Sequence, residues 1–420
     1  MTRTAAWLVP EPIRGSGGHR TIFQNVAALA EAGYDCHVFV EPASARATVP
    51  YGDGHAARRV IESLFGPVPA TFHLGFELHR DFDVAFATAW FTAAPLRRQA
   101  RARHKAYFVQ DFEAAFFPMG DRFLEAEETF RFGFHGTSIG RWLPHRLGRE
   151  FGMVVDPFDF CADRSVYRPL QGARRELGVC FVYQPEKPRR CTELGASALA
   201  IVKAEMPEVR IELYGNDRKP RLPFEAEHLG LLSVEGCNEL YNRSSVGLCI
   251  STTNPSRVPF EMMAAGLPVV DLHRENNLFD HVDSAALLAE STPESVAHAV
   301  LSLLRDASER SSRSQAGLAL MHDRDLAMGA TQFVEAVDRL VSGRAERQPR
   351  VTEPTYRRPP VVTPDDLRER YRGHLETARA RAMASETASP NPTAGWPFRK
   401  GSLAARIRKR VRRVIRALSD

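Results

Sequence analysis

Short apolar runs alternate with stretches of helical periodicity through the first 340 residues. Residues 5–10 form an apolar run that ends in proline, and the glycine cluster Gly15-Ser-Gly-Gly18 follows. Ile22, Val26, Leu29 and Ala30 then recur at helical spacing up to Gly33, a helix stop. Residues 36–40, 83–87 and 106–109 read as further buried strands. The pattern restarts near Cys180: a strand over 180–183, a helix over 192–205, and a strand over 209–213 that ends at Tyr214-Gly215-Asn216. Strands over 246–250, 267–272 and 285–289 complete the set. Residues 260–265 open a helix among them, and 293–304 and 326–340 close the pattern as helices. Short apolar strands separated by helices predict parallel sheets with right-handed crossovers. Two such α/β units, breaking around 160–175, predict two doubly wound Rossmann-like domains, 1–165 and 166–342, facing a central cleft.

The remainder reads differently. Eight prolines fall between Pro349 and Pro397, so 343–400 is predicted to be a linker. One helix is expected inside it, because Thr363-Pro-Asp-Asp366 offers an N-cap, a proline at the first helical position and an early acid. In 401–420, Leu403, Ile407, Val411, Val414, Ile415 and Leu418 form a helical stripe, and seven Arg/Lys from Arg406 to Arg416 cover the rest. This predicts a basic amphipathic helix lying on an anionic membrane surface, with nucleic-acid binding or a solvated tail as rivals.

That segment also changes the meaning of the overall charge of +5. Residues 399–420 carry nine basic groups and one acid, which leaves the first 398 residues with 47 basic and 50 acidic groups, a net −3. The basicity is terminal, so it argues against a nucleic-acid channel through the body. Six scattered cysteines without a CxxC pair predict reduced thiols, and the first dozen residues have too short an apolar run for a signal peptide. The expected location is cytoplasmic, peripheral on the inner face of the membrane.

Two segments carry chemistry. Gly15-Ser-Gly-Gly-His19 lies between a strand and a helix, where backbone amides at a helix N-terminus can hold an anion. Ser251-Thr-Thr-Asn-Pro-Ser-Arg-Val-Pro-Phe-Glu-Met-Met-Ala-Ala-Gly-Leu-Pro-Val-Val270 reads as strand end, polar loop, acid at a helix start, small-residue helix, G-x-P turn and strand. Open α/β sheets bind ligands at the carboxyl ends of strands, so Glu261 could bridge the hydroxyls of a ribose.

This segment resembles the nucleotide-sugar motif of glycosyltransferase family 4, which has the GT-B fold. Glu261 matches the second of that family's two acids, and Met262 to Val270 match the run that follows. The first acid would fall at Thr253 and is absent. The resemblance extends over roughly residues 5–340, and it implies the site. Gly17 and Gly18 match the N-terminal glycine loop. Arg190, helped by Arg189 or Lys187, would clamp the donor diphosphate, with Gln184 standing where the family has arginine. Gly215 and Asn216 would lie near the nucleotide, and Thr252, Thr253 and Asn254 would form the donor-sugar loop. Asp111 would orient the acceptor or act as general base, with Glu113 as runner-up. The stretches Tyr107-Phe-Val-Gln-Asp-Phe-Glu113, Phe116-Phe-Pro-Met-Gly120 and Ala126-Glu-Glu-Thr-Phe130 resemble the rhamnosyltransferase-type branch, as does Thr88-Ala-Trp90. Thr88, Trp90 and Gln110 would then line the acceptor side. The implied donor is dTDP-rhamnose and the implied acceptor a glycan or lipid-linked glycan in surface polysaccharide synthesis.

No metal is expected. The Asp81-Phe-Asp83 pair precedes a strand rather than following one, and enzymes of this fold generally stabilise the leaving group with basic side chains and helix N-termini. Two alternatives stay open: a nucleotide-sugar 2-epimerase of the same fold, and a non-catalytic glycan-binding protein.

Overall fold

The structure is a computed structural model, and it describes residues 2–44, 50–345 and 351–387, with side chains up to 383. Two parallel sheets form its frame. The first contains β1 (Thr4–Val9), β2 (Asp35–Val40), β3 (Thr71–Leu74), β4 (Phe82–Ala87), β5 (Ala102–Val109), β6 (His135–Ile139) and β7 (Val155–Phe158), in the order β3-β2-β1-β4-β5-β6-β7. The second contains β8 (Gly178–Val182), β9 (Arg210–Tyr214), β10 (Glu227–His228), β11 (Val246–Leu248), β12 (Val269–Leu272) and β13 (Ala286–Ala289), in the order β10-β9-β8-β11-β12-β13.

Helices cover both faces. The first unit carries α1 (Gly17–Glu31), α2 (Gly54–Phe65), α3 (Trp90–Arg98), α4 (Asp121–Glu128) and α5 (Trp142–Phe151). The second carries α6 (Thr192–Glu205), α7 (Val234–Arg243), α8 (Val258–Ala264), α9 (Glu275–Leu278), α10 (Pro293–Arg305) and α11 (Ala307–Leu320). Then come α12 (Leu326–Val341) and α13 (Asp365–Thr387). Central strands are buried on both faces, so they read as continuous apolar runs: Ala5 to Val9 are fully buried. Gly195 lets α6 lie flat on β8, since a β-carbon there would fall 2.2 Å from Phe181 Cζ. Among the described residues no helix is long and apolar enough to cross a membrane.

Two expectations are corrected. The helix over 326–340, assigned to the second unit, crosses back and packs on the first. Phe333 of α12 meets Trp7, Phe86, Phe108 and Phe158 at ring-centroid distances of 5.8, 6.0, 5.6 and 5.9 Å. Over residues 351–383 the proline-rich stretch is a packed strap rather than an open linker. Val361 bridges to Ala289 beside the second sheet, Tyr356 is buried with its hydroxyl accepting from Leu288 N, and Tyr371 of α13 is buried in the second core. Its Thr363 does not start the helix as read from sequence: its hydroxyl and N–H meet Ser295 Oγ, and α13 begins at Asp365. The predicted basic helix 401–420 lies outside the described residues.

Candidate functional site

In a doubly wound sheet the strand order reverses at one point, and the loops on either side diverge to open a crevice beyond the carboxyl ends. The reversals here fall between β1 and β4 and between β8 and β11. The loops that leave these strands and their neighbours carry the residues singled out from sequence. Gly17 and Gly18 follow β1, Thr88 and Trp90 follow β4, and Gln110, Asp111 and Glu113 follow β5. Opposite them, Arg189 and Arg190 follow β8, Gly215 and Asn216 follow β9, and Thr252 to Asn254 follow β11 and lead to Glu261 in α8.

The arginine pair is set by backbone strain. Residues 188–190 make one 3-10 turn, and Cys191 takes φ +44°, the single left-handed non-glycine residue among those described. Such a conformation costs on the order of 1 kcal/mol or more. It turns the chain directly into α6, so the arginines precede that helix N-terminus. Arg189 Nε, Arg190 Nη1 and Thr192 Oγ1 are all buried without a hydrogen-bond partner. Buried polar atoms left unpaired cost about 1–3 kcal/mol each. Two guanidinium donors and a hydroxyl in that state at one helix N-terminus suit an anion. Arg189 also lies 4.0 Å over the Phe116 ring, and its carbonyl accepts from Thr252 N at 3.0 Å. Lys187 is instead 3.8 Å from Glu186. Gln184 packs against Gly215, whose φ of +98° requires glycine. The Asn216 side chain is occupied by Glu186, to which it donates at 2.7 Å.

Asp111 joins the two domains. Its Oδ2 accepts from Thr253 Oγ1 at 3.0 Å, and its Oδ1 accepts from Asn254 N at 2.9 Å and from Phe112 N at 2.8 Å. Arg189 Nε stands 3.5 Å from Oδ2. Burial raises the Asp111 carboxyl above its ordinary range, although Arg189 and the Asn254 N–H pull the other way. Asn254 Nδ2 completes the seam by donating to Gln110 O and Ile139 O at 2.9 and 3.0 Å. Thr253 thus stands where the resemblance expected an acid, and its partner is an acid from the facing domain.

Glu113 accepts from Trp90 N at 2.6 Å, at the N-terminus of α3. Burial pushes its carboxyl up to about 8, and nearby Asp111 adds to the rise. Trp90 packs edge-on to Phe117. Thr88, expected to face the acceptor, is buried and donates to Leu8 O at 2.7 Å, so its hydroxyl braces β4 to β1 instead. The glycine loop begins α1 at Gly17, with Ser16 accepting from His19 N, and a β-carbon at Gly18 would come within 3.4 Å of Gln110 Oε1.

Glu261 lies in the first turn of α8, and burial raises its carboxyl against the opposing pull of Arg257 and Arg20. Two further ties across the cleft were not read from sequence. Arg257 Nη1 donates to Gln24 Oε1 of α1 at 2.7 Å. Asp280 of the second domain caps α5 of the first, accepting from Arg141 N at 2.9 Å and Trp142 N at 3.4 Å. Their partners lie more than a hundred residues away, so no local pattern marks them.

This arrangement of paired sheets has known counterparts. Sucrose-phosphate synthase from Thermosynechococcus elongatus superimposes with a TM-score of 0.60 at 13% identity, covering 81% of this chain and 100% of that one. HepE of Anabaena, in complex with UDP-glucose, gives 0.61 at 15% identity over 80% of this chain and 100% of that one. The fold is GT-B. Within this GT-B chain, residues 178–301 match the family model of the WsaF C-terminal domain. The O-antigen biosynthesis protein RfbC of Myxococcus xanthus is 35% identical over 233 residues, 54% of this chain. The chain spans 18% of the length of that relative.

Proposed function

We propose that this chain is a nucleotide-sugar-dependent glycosyltransferase that builds a bacterial surface polysaccharide of the O-antigen kind. The observation that carries the proposal is the set of buried atoms Arg189 Nε, Arg190 Nη1 and Thr192 Oγ1 at the start of α6, none of which makes a hydrogen bond. As the glycosidic bond to the donor breaks, negative charge develops on the departing diphosphate. Preorganised donors aimed at that charge stabilise the transition state more than the ground state. A guanidinium fork suits this role because it binds phosphate oxygens bidentately.

Glu261 is assigned to the ribose hydroxyls of the donor. Asp111 is assigned to the acceptor hydroxyl, and its hydrogen bond to Thr253 lets it stand in for the acid missing from the sugar loop. Glu113 positions α3 through Trp90 N. Transfer of rhamnose from dTDP-rhamnose rests on the resemblance carried by Tyr107 to Glu113 and Phe116 to Gly120. The similarity to RfbC supports the surface-polysaccharide setting, and the UDP-glucose held by HepE, of the same fold, is consistent with a nucleotide-sugar donor. The basic segment 401–420 would hold the enzyme near a lipid-linked acceptor.

Calorimetry with UDP, dTDP and GDP tests the site first. One of them should bind, and Arg190→Ala should weaken that binding about tenfold or more, the value of a charge-assisted hydrogen bond. Absence of binding by all three, or an unchanged affinity in the variant, would refute the assignment. Formation of an extended glycan from dTDP-rhamnose then separates transfer from epimerisation and from simple glycan binding.

A further inference from the structure

Three histidines gather on the first domain, away from the cleft. The register of β2 and β3 sets Phe39 opposite His73, so His37 and His73 lie on the same face of the sheet, two residues apart diagonally. The connector from β3 to β4 then brings His79 against His73, with ring centroids 4.4 Å apart. One ring nitrogen from each of the three lies within 4.8 Å of the other two. His37 Nδ1 and His73 Nε2 face each other at 2.8 Å. Phe39 and Phe82 wall the group at 4.7 Å from His73 and 5.2 Å from His37. The cluster lies on β2 and the edge strand β3, to one side of the β1–β4 reversal where the cleft opens.

The hydrogen bonds around His37 fix its tautomer. Its Nε2 is 3.3 Å from Asp35 Oδ2, a carboxylate that Arg80 also holds. A carboxylate accepts only, so the His37 proton belongs on Nε2 and the Nδ1 lone pair points at the other two rings. A carboxylate behind an imidazole is the usual outer partner of a metal-bound histidine.

We propose that His37, His73 and His79 are the protein ligands of one divalent cation of the zinc class, with Asp35 as the residue that orients His37. Three imidazoles suit zinc and its neighbours, whereas calcium and magnesium require oxygen donors. Two nitrogens on a tetrahedral zinc, each at about 2.0 Å, stand about 3.3 Å apart. The present contact of 2.8 Å therefore needs to open by only about half an ångström. His73 gives up its hydrogen bond to His37 by moving its proton from Nε2 to Nδ1, which keeps the ring neutral. Such a cation would tie the edge strand β3 and the 75–81 connector to β2.

The test uses the full chain without an affinity tag, stripped with a chelator and titrated with ZnCl2 by calorimetry, with Co2+ as a spectroscopic probe. One equivalent of Zn2+ should bind, the cobalt form should show the visible bands of a four-coordinate site without thiolate charge transfer, and the melting temperature should rise with Zn2+. His79 is exposed, so His79→Ala folds normally, and it should lower Zn2+ affinity at least tenfold. Asp35→Asn should lower it about 10- to 100-fold, the usual effect of removing an outer carboxylate. No stoichiometric binding to the wild-type chain, unchanged affinity in His79→Ala, or a cysteine-type cobalt spectrum would each overturn the proposal.

Discussion

Restoring a carboxylate at position 253 tests the seam between the domains. Thr253 is 3% exposed and its hydroxyl lies 3.0 Å from Asp111 Oδ2, so Thr253→Glu sets two carboxylates about 4 Å apart. At an effective dielectric constant of about 20 that repulsion is about 4 kcal/mol. Arg189, 3.5 Å from the same oxygen, offsets part of that repulsion, so about 4 kcal/mol is its upper bound. The pair escapes by keeping one proton, with an apparent affinity raised by as much as about 3 pH units, because one unit corresponds to 1.36 kcal/mol. The deficit relative to wild type is therefore expected in full at pH 8, where both groups are ionised, and should shrink as the pH falls toward 5.5 and one carboxyl binds a proton. Thr253→Gln supplies the same bulk without the charge, so its deficit should not depend on pH. The assay is thermal unfolding of all three proteins between pH 5.5 and 8. Parallel, pH-independent deficits for Glu and Gln would show that volume, not charge, governs the position, and would sink the assignment of Asp111 as partner of this loop.

The other expectations can be checked with the same protein. Asp111→Ala should lower turnover by at least about 100-fold, the low end for a lost general acid–base group, while nucleotide affinity persists. Equal loss of both would refute its acceptor role. Glu113 binds its proton more tightly folded, at about 8, than unfolded, so its contribution to stability is present at low pH and is lost as the pH rises from the ordinary carboxyl range through 8. Glu113→Gln, which keeps an acceptor for Trp90 N, should flatten that decline in melts from pH 4.5 to 8.5, and an unchanged slope would show that Glu113 is not its source. Deletion of 399–420 should abolish co-sedimentation with anionic vesicles, since each basic residue near such a surface contributes on the order of 1 kcal/mol. Equal sedimentation of the truncated chain would end the membrane assignment.

What the sequence revealed follows from where each element is buried. Strands β1, β4, β5 and β8 lie inside their sheets and announce themselves as apolar runs. Strand β6 is also internal but reads His-Gly-Thr-Ser-Ile, with Thr137 and Ser138 buried, so no apolar run marks it in the sequence. Strand β7 contains Asp156 and Pro157, residues that argue against a strand; it lies at the sheet edge, where proline is tolerated, and Asp156 is matched by His135 at 2.8 Å. The strap after residue 350 looks like a linker in sequence because its anchors, Tyr356 and Tyr371, are few and lie among prolines and charges. In the cleft, Glu261 and Arg190 belong to local motifs that a sequence window contains, and the fold places both beyond the carboxyl ends of the second sheet's strands. The strain at Cys191 that aims the arginines, and the ties made by Arg257, Gln24 and Asp280, depend on backbone geometry and distant partners that no window of sequence contains.

The return of α12 to the first domain has a consequence for how the chain is made and recombined. Phe333 fills a slot between Trp7, Phe86, Phe108 and Phe158, so during synthesis that slot stays open until the whole second domain has emerged. Aromatic core residues of this kind are worth about 3–5 kcal/mol. A piece ending near residue 165 would therefore display an unfilled aromatic groove, a natural target for chaperones or for aggregation. A chimaera that exchanges the second domain with that of a relative should take residues near 175–325 only and leave the final helix with the domain it completes.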